Sequence, residues 1–163
     1  MIKDRMGIIH QERLRAFSGE HLYYELNMFF GVTKRLGEGA HDQYIYSALL
    51  ESFVIHTSLI LDFFYKPPAK ADDATVMHFI KDIARWKKLR PSYDKYFRKF
   101  HRRRSREVVH LSYKRLDIDA SEKLWNVEKI VPSIRELVRV FLKVADPDLL
   151  HPRLYQLENF LKE

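Results

Sequence analysis

Apolar residues recur at helical spacing along almost the whole of this chain, and no run of alternating apolar and polar residues persists. A helix brings positions three and four apart onto one face, whereas a strand needs a period of two, so the pattern restricts the chain to helices sharing a core. Leu22, Leu26, Phe29, Phe30 and Thr33 fall on one face of a helix that Ser18 can cap and Gly37-Glu38-Gly39 can end. Residues 1–17 read as an N-terminal arm or short helix, leaving 18–163 as one helical-bundle domain. A second helix runs from Asp42 to Tyr65 and stops at Pro67-Pro68, with Ile45, Ala48, Leu49, Ser52, His56, Leu59, Ile60 and Phe63 as its inward stripe. Asp72-Asp73 can cap a shorter helix through Val76, Phe79, Ile80 and Ile83, followed by Trp86. Pro91 suits the first turn of a fourth helix that continues to Arg115, with Phe97, Phe100, Val108 and Leu111 inward. Asp117-Ile118-Asp119 breaks the pattern, and Asn126 can cap a fifth helix carrying Ile130, Ile134, Leu137, Val138 and Phe141. Pro132 inside it predicts a kink or a late start. A short last helix spans Arg153 to Lys162. The expected fold is all-α, an antiparallel bundle of four long helices plus one or two shorter ones.

Composition excludes several function classes. The 163 residues are enough for one domain with a real core. The absence of cysteine excludes a disulfide scaffold, a zinc ribbon and a thiol nucleophile. Residues 1–10 have no long apolar stretch before small residues, so no signal peptide is expected. The most apolar run, Ala48 to Tyr65, carries Glu51, His56 and Asp62, which predicts a buried helix rather than a membrane span and a cytoplasmic protein. No Gly-x-Gly-x-x-Gly and no Lys-Ser/Thr phosphate loop occurs, so no nucleotide cofactor is expected. A di-metal bundle needs two Glu-x-x-His pairs on helices. Glu107-Val108-Val109-His110 is one, but Glu38-Gly39-Ala40-His41 straddles a glycine turn, so no metal is expected either.

The positive charge is concentrated. Residues 85–115 hold thirteen lysines and arginines against Asp94 and Glu107, a net +11, while the rest of the chain carries −4. Like charges at helical spacing repel one another, and a phosphate backbone is the simplest offset. This makes Arg98, Lys99, Arg102, Arg106, Lys114 and Arg115 candidate nucleic-acid contacts. Tyr93, Tyr96, Phe97, Phe100 and Tyr113 are interleaved, and those that are exposed could stack on unpaired bases. The alternative is a solvated face, or a non-enzymatic helical module that holds an acidic protein partner through the same segment.

Candidate chemistry lies within this segment. Arg103 and His110 stand two helical turns apart on one stripe with Arg106 and Lys114, and Arg104 is nearer the Val108 side. A guanidinium can hold non-bridging phosphate oxygens, an imidazole can move a proton near neutral pH, and RNA brings its own 2′-OH nucleophile. Val109 and Leu111 bracket His110, so a structural histidine is the competing reading. Glu51 and His56 form a second polar pair, read as an interior network that fixes helix register or as a second functional site.

A helical bundle with an arginine, four to six residues and then a histidine on a late helix resembles the HEPN superfamily (higher eukaryotes and prokaryotes nucleotide-binding). Arg103 and Arg104 both fit that spacing to His110. The stretches 108–115 (VVHLSYKR) and 50–64 (LESFVIHTSLILDFF) resemble motifs in bacterial proteins of that kind, and the similarity covers residues 20–145. The resemblance implies a metal-independent endoribonuclease of a toxin–antitoxin or phage-defence system. It would act as a homodimer on RNA, with an antitoxin or other protein as a further partner. Its catalytic set would be Arg103 or Arg104 with His110.

Overall fold

In the computed structural model the chain is all-α, and the described residues contain no strand. The structure describes residues 2–39, 41–70, 72–104, 107–108, 113–119 and 124–162. Helix α1 (Ile2–Phe17) runs through a five-residue π segment (Ser18–Leu22) into α2 (Tyr23–Glu38). A short connection leads to α3 (Gln43–Tyr65), whose N-cap Asp42 accepts from the Tyr44 and Ile45 amides. After a 3₁₀ turn (Val76–His78) come α4 (Ile83–Leu89) and α5 (Lys95–Arg104). A second 3₁₀ turn (Tyr113–Arg115) precedes α6 (Val127–Val144). The chain closes with 3₁₀ turns at Pro147–Leu149 and Pro152–Leu157 and the short α7 (Glu158–Leu161).

Several sequence expectations change. Ser18 is not an N-cap, because nothing before it breaks the helix. Its hydroxyl lies buried, donates to the Arg15 and Leu149 carbonyls, and accepts from the His151 amide. It therefore ties the first long helix to the C-terminal segment instead of starting a helix. The helix expected from Asp72-Asp73 is divided. Thr75 precedes only the 3₁₀ turn, and Asp82 caps α4 by accepting from the Arg85 amide. The helix expected from Pro91 starts four residues later, because the Asp94 carboxylate accepts from the Tyr96 and Phe97 amides. α6 starts at Val127 as expected, without a side-chain cap from Asn126, and Pro132 is accommodated within it.

One buried cluster runs from Leu22 to Leu161 and is rich in phenylalanine. Phe63, Phe64, Phe79 and Trp86 surround Phe141 with ring centroids 5.3–6.4 Å away. α3 is apolar enough and long enough to cross a bilayer, and half of its most apolar stretch is buried in this core. Residues 42–48 are exposed throughout, so Ile45 and Ala48 do not face inward as the stripe predicted. Leu59 also lies outward, at 47% exposure.

The π segment places Gly19 against His151. A Cβ at Gly19 would lie 2.5 Å from His151 Cγ and 2.7 Å from its Cβ. The Ser18 hydroxyl holds the His151 backbone and leaves it little room to retreat. Gly19→Ala should therefore destabilise the protein by about 1–3 kcal/mol, the usual range for overpacking. A urea midpoint equal to that of the parent would reject this close approach.

Candidate nucleic-acid interface and adjoining groove

α5 reads KYFRKFHRRR and contains no acidic residue. At 100° per residue, Lys95, Arg98, Lys99 and Arg102 fall within about 100° of arc. Lys95, Arg98 and Arg102 are exposed and Lys99 is half-buried. Phe97 and Phe100 occupy the opposite side and are 1% and 2% exposed. Burial of those two rings fixes the rotation of the helix, and the basic stripe faces solvent as a consequence. The ring inventory is smaller than the sequence suggested for base stacking. Phe97 and Phe100 belong to the core, Tyr93 and Tyr96 are half-buried, and Tyr113 is 91% exposed. Lys114 and Arg115 belong to the 3₁₀ turn that carries Tyr113, and Arg115 is half-buried.

The two candidate arginines differ sharply. Arg103 is 4% exposed. Its Nε and Nη2 donate to Glu107 at 2.5 and 2.6 Å, its Nη1 donates to the Leu124 carbonyl at 2.8 Å, and its Cζ lies 4.1 Å over the Trp125 ring. The fork-on-carboxylate pair and the stack commit this guanidinium to holding α5 against the start of α6. Arg104 points the other way, towards α3, where its Nη2 lies 3.2 Å from Asp62 Oδ2. It lines a recess of about 420 Å³ together with Val54, Ile55, Ser58, Leu59, Asp62 and Val108. Arg106, His110 and Leu111 lie outside the described residues.

Asp62 gathers charge at this recess. Its Oδ2 also accepts from Lys66 Nζ at 2.8 Å, and its Oδ1 lies 3.3 Å from His101 Nε2. Those last two atoms are buried but not aligned for a hydrogen bond. The Tyr93 ring meets His101 edge-on at 5.7 Å. Burial pushes the His101 imidazole below its ordinary range, and the Arg104 guanidinium pushes the same way; Asp62 opposes them and Lys66 adds to them. On balance these surroundings favour the neutral ring. Burial raises the Tyr93 phenol, and the Asp62 charge raises it further. Sequence reading missed His101 and Asp62 as a pair because they lie 39 positions apart. The signal that could have found them is His101 at i−3 from Arg104, the two sharing the side of α5 away from the basic stripe.

The second polar pair is also rearranged. His56 is 7% exposed and its Nδ1 lies 2.6 Å from Glu25 Oε2 on α2. Glu51 is exposed instead of inward. Positions 51 and 56 stand about 140° apart on a helix, so one of them must turn out when the other turns in. Among the described residues no group of three or more His, Asp or Glu could hold a metal ion. No protein-family model, curated protein or solved structure matches the chain.

Proposed function

We propose that this chain is a helical protein of the HEPN kind that binds RNA through the basic stripe of α5. The observation that carries the reading is that Lys95, Arg98 and Arg102 project from one face of a helix without an acid, held there by the burial of Phe97 and Phe100 behind them. A polyanion offsets the mutual repulsion of that stripe and releases its own counterions on binding. Within this reading Arg104 is the arginine that meets the substrate, because it lines a recess while Arg103 is enclosed by Glu107, Leu124 and Trp125. The homodimer that the resemblance implies would cover apolar surface on α3, where Tyr44, Ile45, Ile55 and Leu59 are 88%, 51%, 47% and 47% exposed.

The test is binding of single-stranded RNA across a salt series. Replacing Lys95, Arg98 and Arg102 by alanine together should weaken binding by roughly tenfold or more and reduce the slope of log K against log[salt] by about 2, since each single-strand phosphate contact contributes about 0.7. A triple variant with unchanged affinity and slope would exclude this face as the RNA contact. Preferential binding of an acidic polypeptide over RNA would favour the protein-partner module.

A further inference from the structure

We propose that the cavity between the start of α2, the end of α3 and the loop after α3 binds a free linear polyamine, whose ammonium groups meet Glu25, Asp72 and Asp73 while its methylene chain lies on the apolar lining. The inference is independent of the RNA reading. The cavity measures about 500 Å³, within the size range of small-molecule sites. Glu25 reaches it from α2, Asp62 from α3, and Asp72 and Asp73 from the loop, against a single lysine, Lys66. Its apolar lining includes the buried Leu22, Ile60 and Phe63 and the half-buried Phe17.

Charge and its dispersal select the ligand. Asp62 is already met by Lys66 Nζ at 2.8 Å and by Arg104 Nη2 at 3.2 Å. Glu25, Asp72 and Asp73 are not paired with any lysine or arginine among the described residues. His56 Nδ1 lies 2.6 Å from Glu25 Oε2, and the Ala69 and Lys70 amides donate to Asp73 Oδ2 at 2.8 and 2.9 Å. Glu25 and Asp73 are thus each fixed through one oxygen and keep the other for a ligand. The Lys70 and Ala69 amides also hold the Asp73 carboxyl below its ordinary range, so it stays charged. A divalent metal ion needs oxygens converging on one point at about 2.0–2.6 Å, and among the described residues no such group exists. Carboxylates spread along an apolar cavity call instead for positive charges spread along an apolar chain. The chain as a whole carries +7 and repels a polycation, so an attraction here is local to the cavity.

Thr75 is a second, independent sign of an absent partner. It lines the same cavity, is 4% exposed, and its Oγ1 is buried without a hydrogen bond. The His78 amide, across the 3₁₀ turn, donates to the Thr75 carbonyl at 3.1 Å and leaves the hydroxyl unserved. A buried hydroxyl without a partner is destabilising, and an ammonium N–H in the cavity would satisfy it.

The test is calorimetric titration of spermidine, a linear triamine, into the RNA-free full chain, with the melting temperature read in parallel. Spermidine should bind, raise the melting temperature, and bind more weakly as salt rises. Glu25→Gln combined with Asp72→Asn should weaken binding roughly five- to tenfold, as expected for two partly exposed charge pairs. Thr75→Val should weaken it by about threefold or more without lowering the melting temperature of the free protein, because the hydroxyl it removes has no partner. Replacing Lys95, Arg98 and Arg102 by alanine should not weaken it, which separates this site from the basic stripe. No binding of spermidine at millimolar concentration overturns the proposal, as does undiminished affinity in either cavity variant. An uncharged diol of the same chain length that binds as tightly would make the cavity merely apolar, and Mg²⁺ that displaces spermidine at equal concentration would make it a site for point charge; both overturn it. A lysine-rich peptide that binds more tightly than spermidine overturns the free polyamine in favour of a protein partner.

Discussion

Arg103→Ala should cost about 3–5 kcal/mol of stability, because removing one partner of a buried ion pair leaves an uncompensated charge. Glu107 would keep its carboxylate at 14% side-chain exposure with both of its fork contacts gone. The Leu124 carbonyl would lose its donor and the Trp125 ring its stacked cation. For a domain of this size each kcal/mol moves the melting temperature by about 2–4 °C, so a thermal scan should show a loss of roughly 10 °C. Replacing the pair together, as Arg103→Met with Glu107→Leu, should recover most of that loss, since apolar residues of similar volume substitute well for buried pairs. RNA affinity at a temperature where the variant is folded should match the parent. A variant that melts like the parent yet no longer acts on RNA would make Arg103 the functional arginine and displace Arg104.

Phe141→Ala should be comparably destructive, by about 3–5 kcal/mol. The ring is completely enclosed, and Phe63, Phe64, Phe79 and Trp86 all pack on it. These partners come from α3, the 76–80 segment and α4, so one cavity would loosen the packing of α6 against three separate parts of the chain. Phe141→Leu retains much of the volume and should lose only about 1–1.5 kcal/mol. Urea titration with an unchanged m value would show that the loss belongs to the folded state. A drop below about 1 kcal/mol for the alanine variant would mean that the aromatic cluster collapses around the void.

Helix positions were legible where a capping residue agreed with the apolar period. Asp42 before the α3 stripe and Gly39 after α2 mark real boundaries, and Gly39 takes the positive φ of 67° that such a terminus favours. They were misread where a cap-forming residue sits inside a continuing helix. Ser18 looks like a start, but its hydroxyl satisfies groups at 149 and 151, which no local window contains. The inward stripe of α3 was misplaced at Ile45, Ala48 and Leu59 because that helix is apolar on nearly every side. Which side is buried then depends on where its neighbours end.

The site shows the same division. Concentration of charge in 85–115, the arginine run and the absence of cysteine are properties of the sequence alone, and they narrow the candidate chemistry to arginine and histidine. Helical periodicity, together with the need to bury Phe97 and Phe100, already turns Lys95, Arg98 and Arg102 outward. The sequence could not separate Arg103 from Arg104, which are neighbours with the same side chain. Their 100° separation on α5 sends one to Glu107 and Trp125 and the other to Asp62, and only the packing of α3 and of the segment entering α6 on different flanks of that helix decides which is enclosed and which lines a recess. Local residues set the fold class and the charge because those depend on short-range periodicity. The geometry of the recess depends on contacts 39 and more positions apart, and tertiary packing alone brings those together.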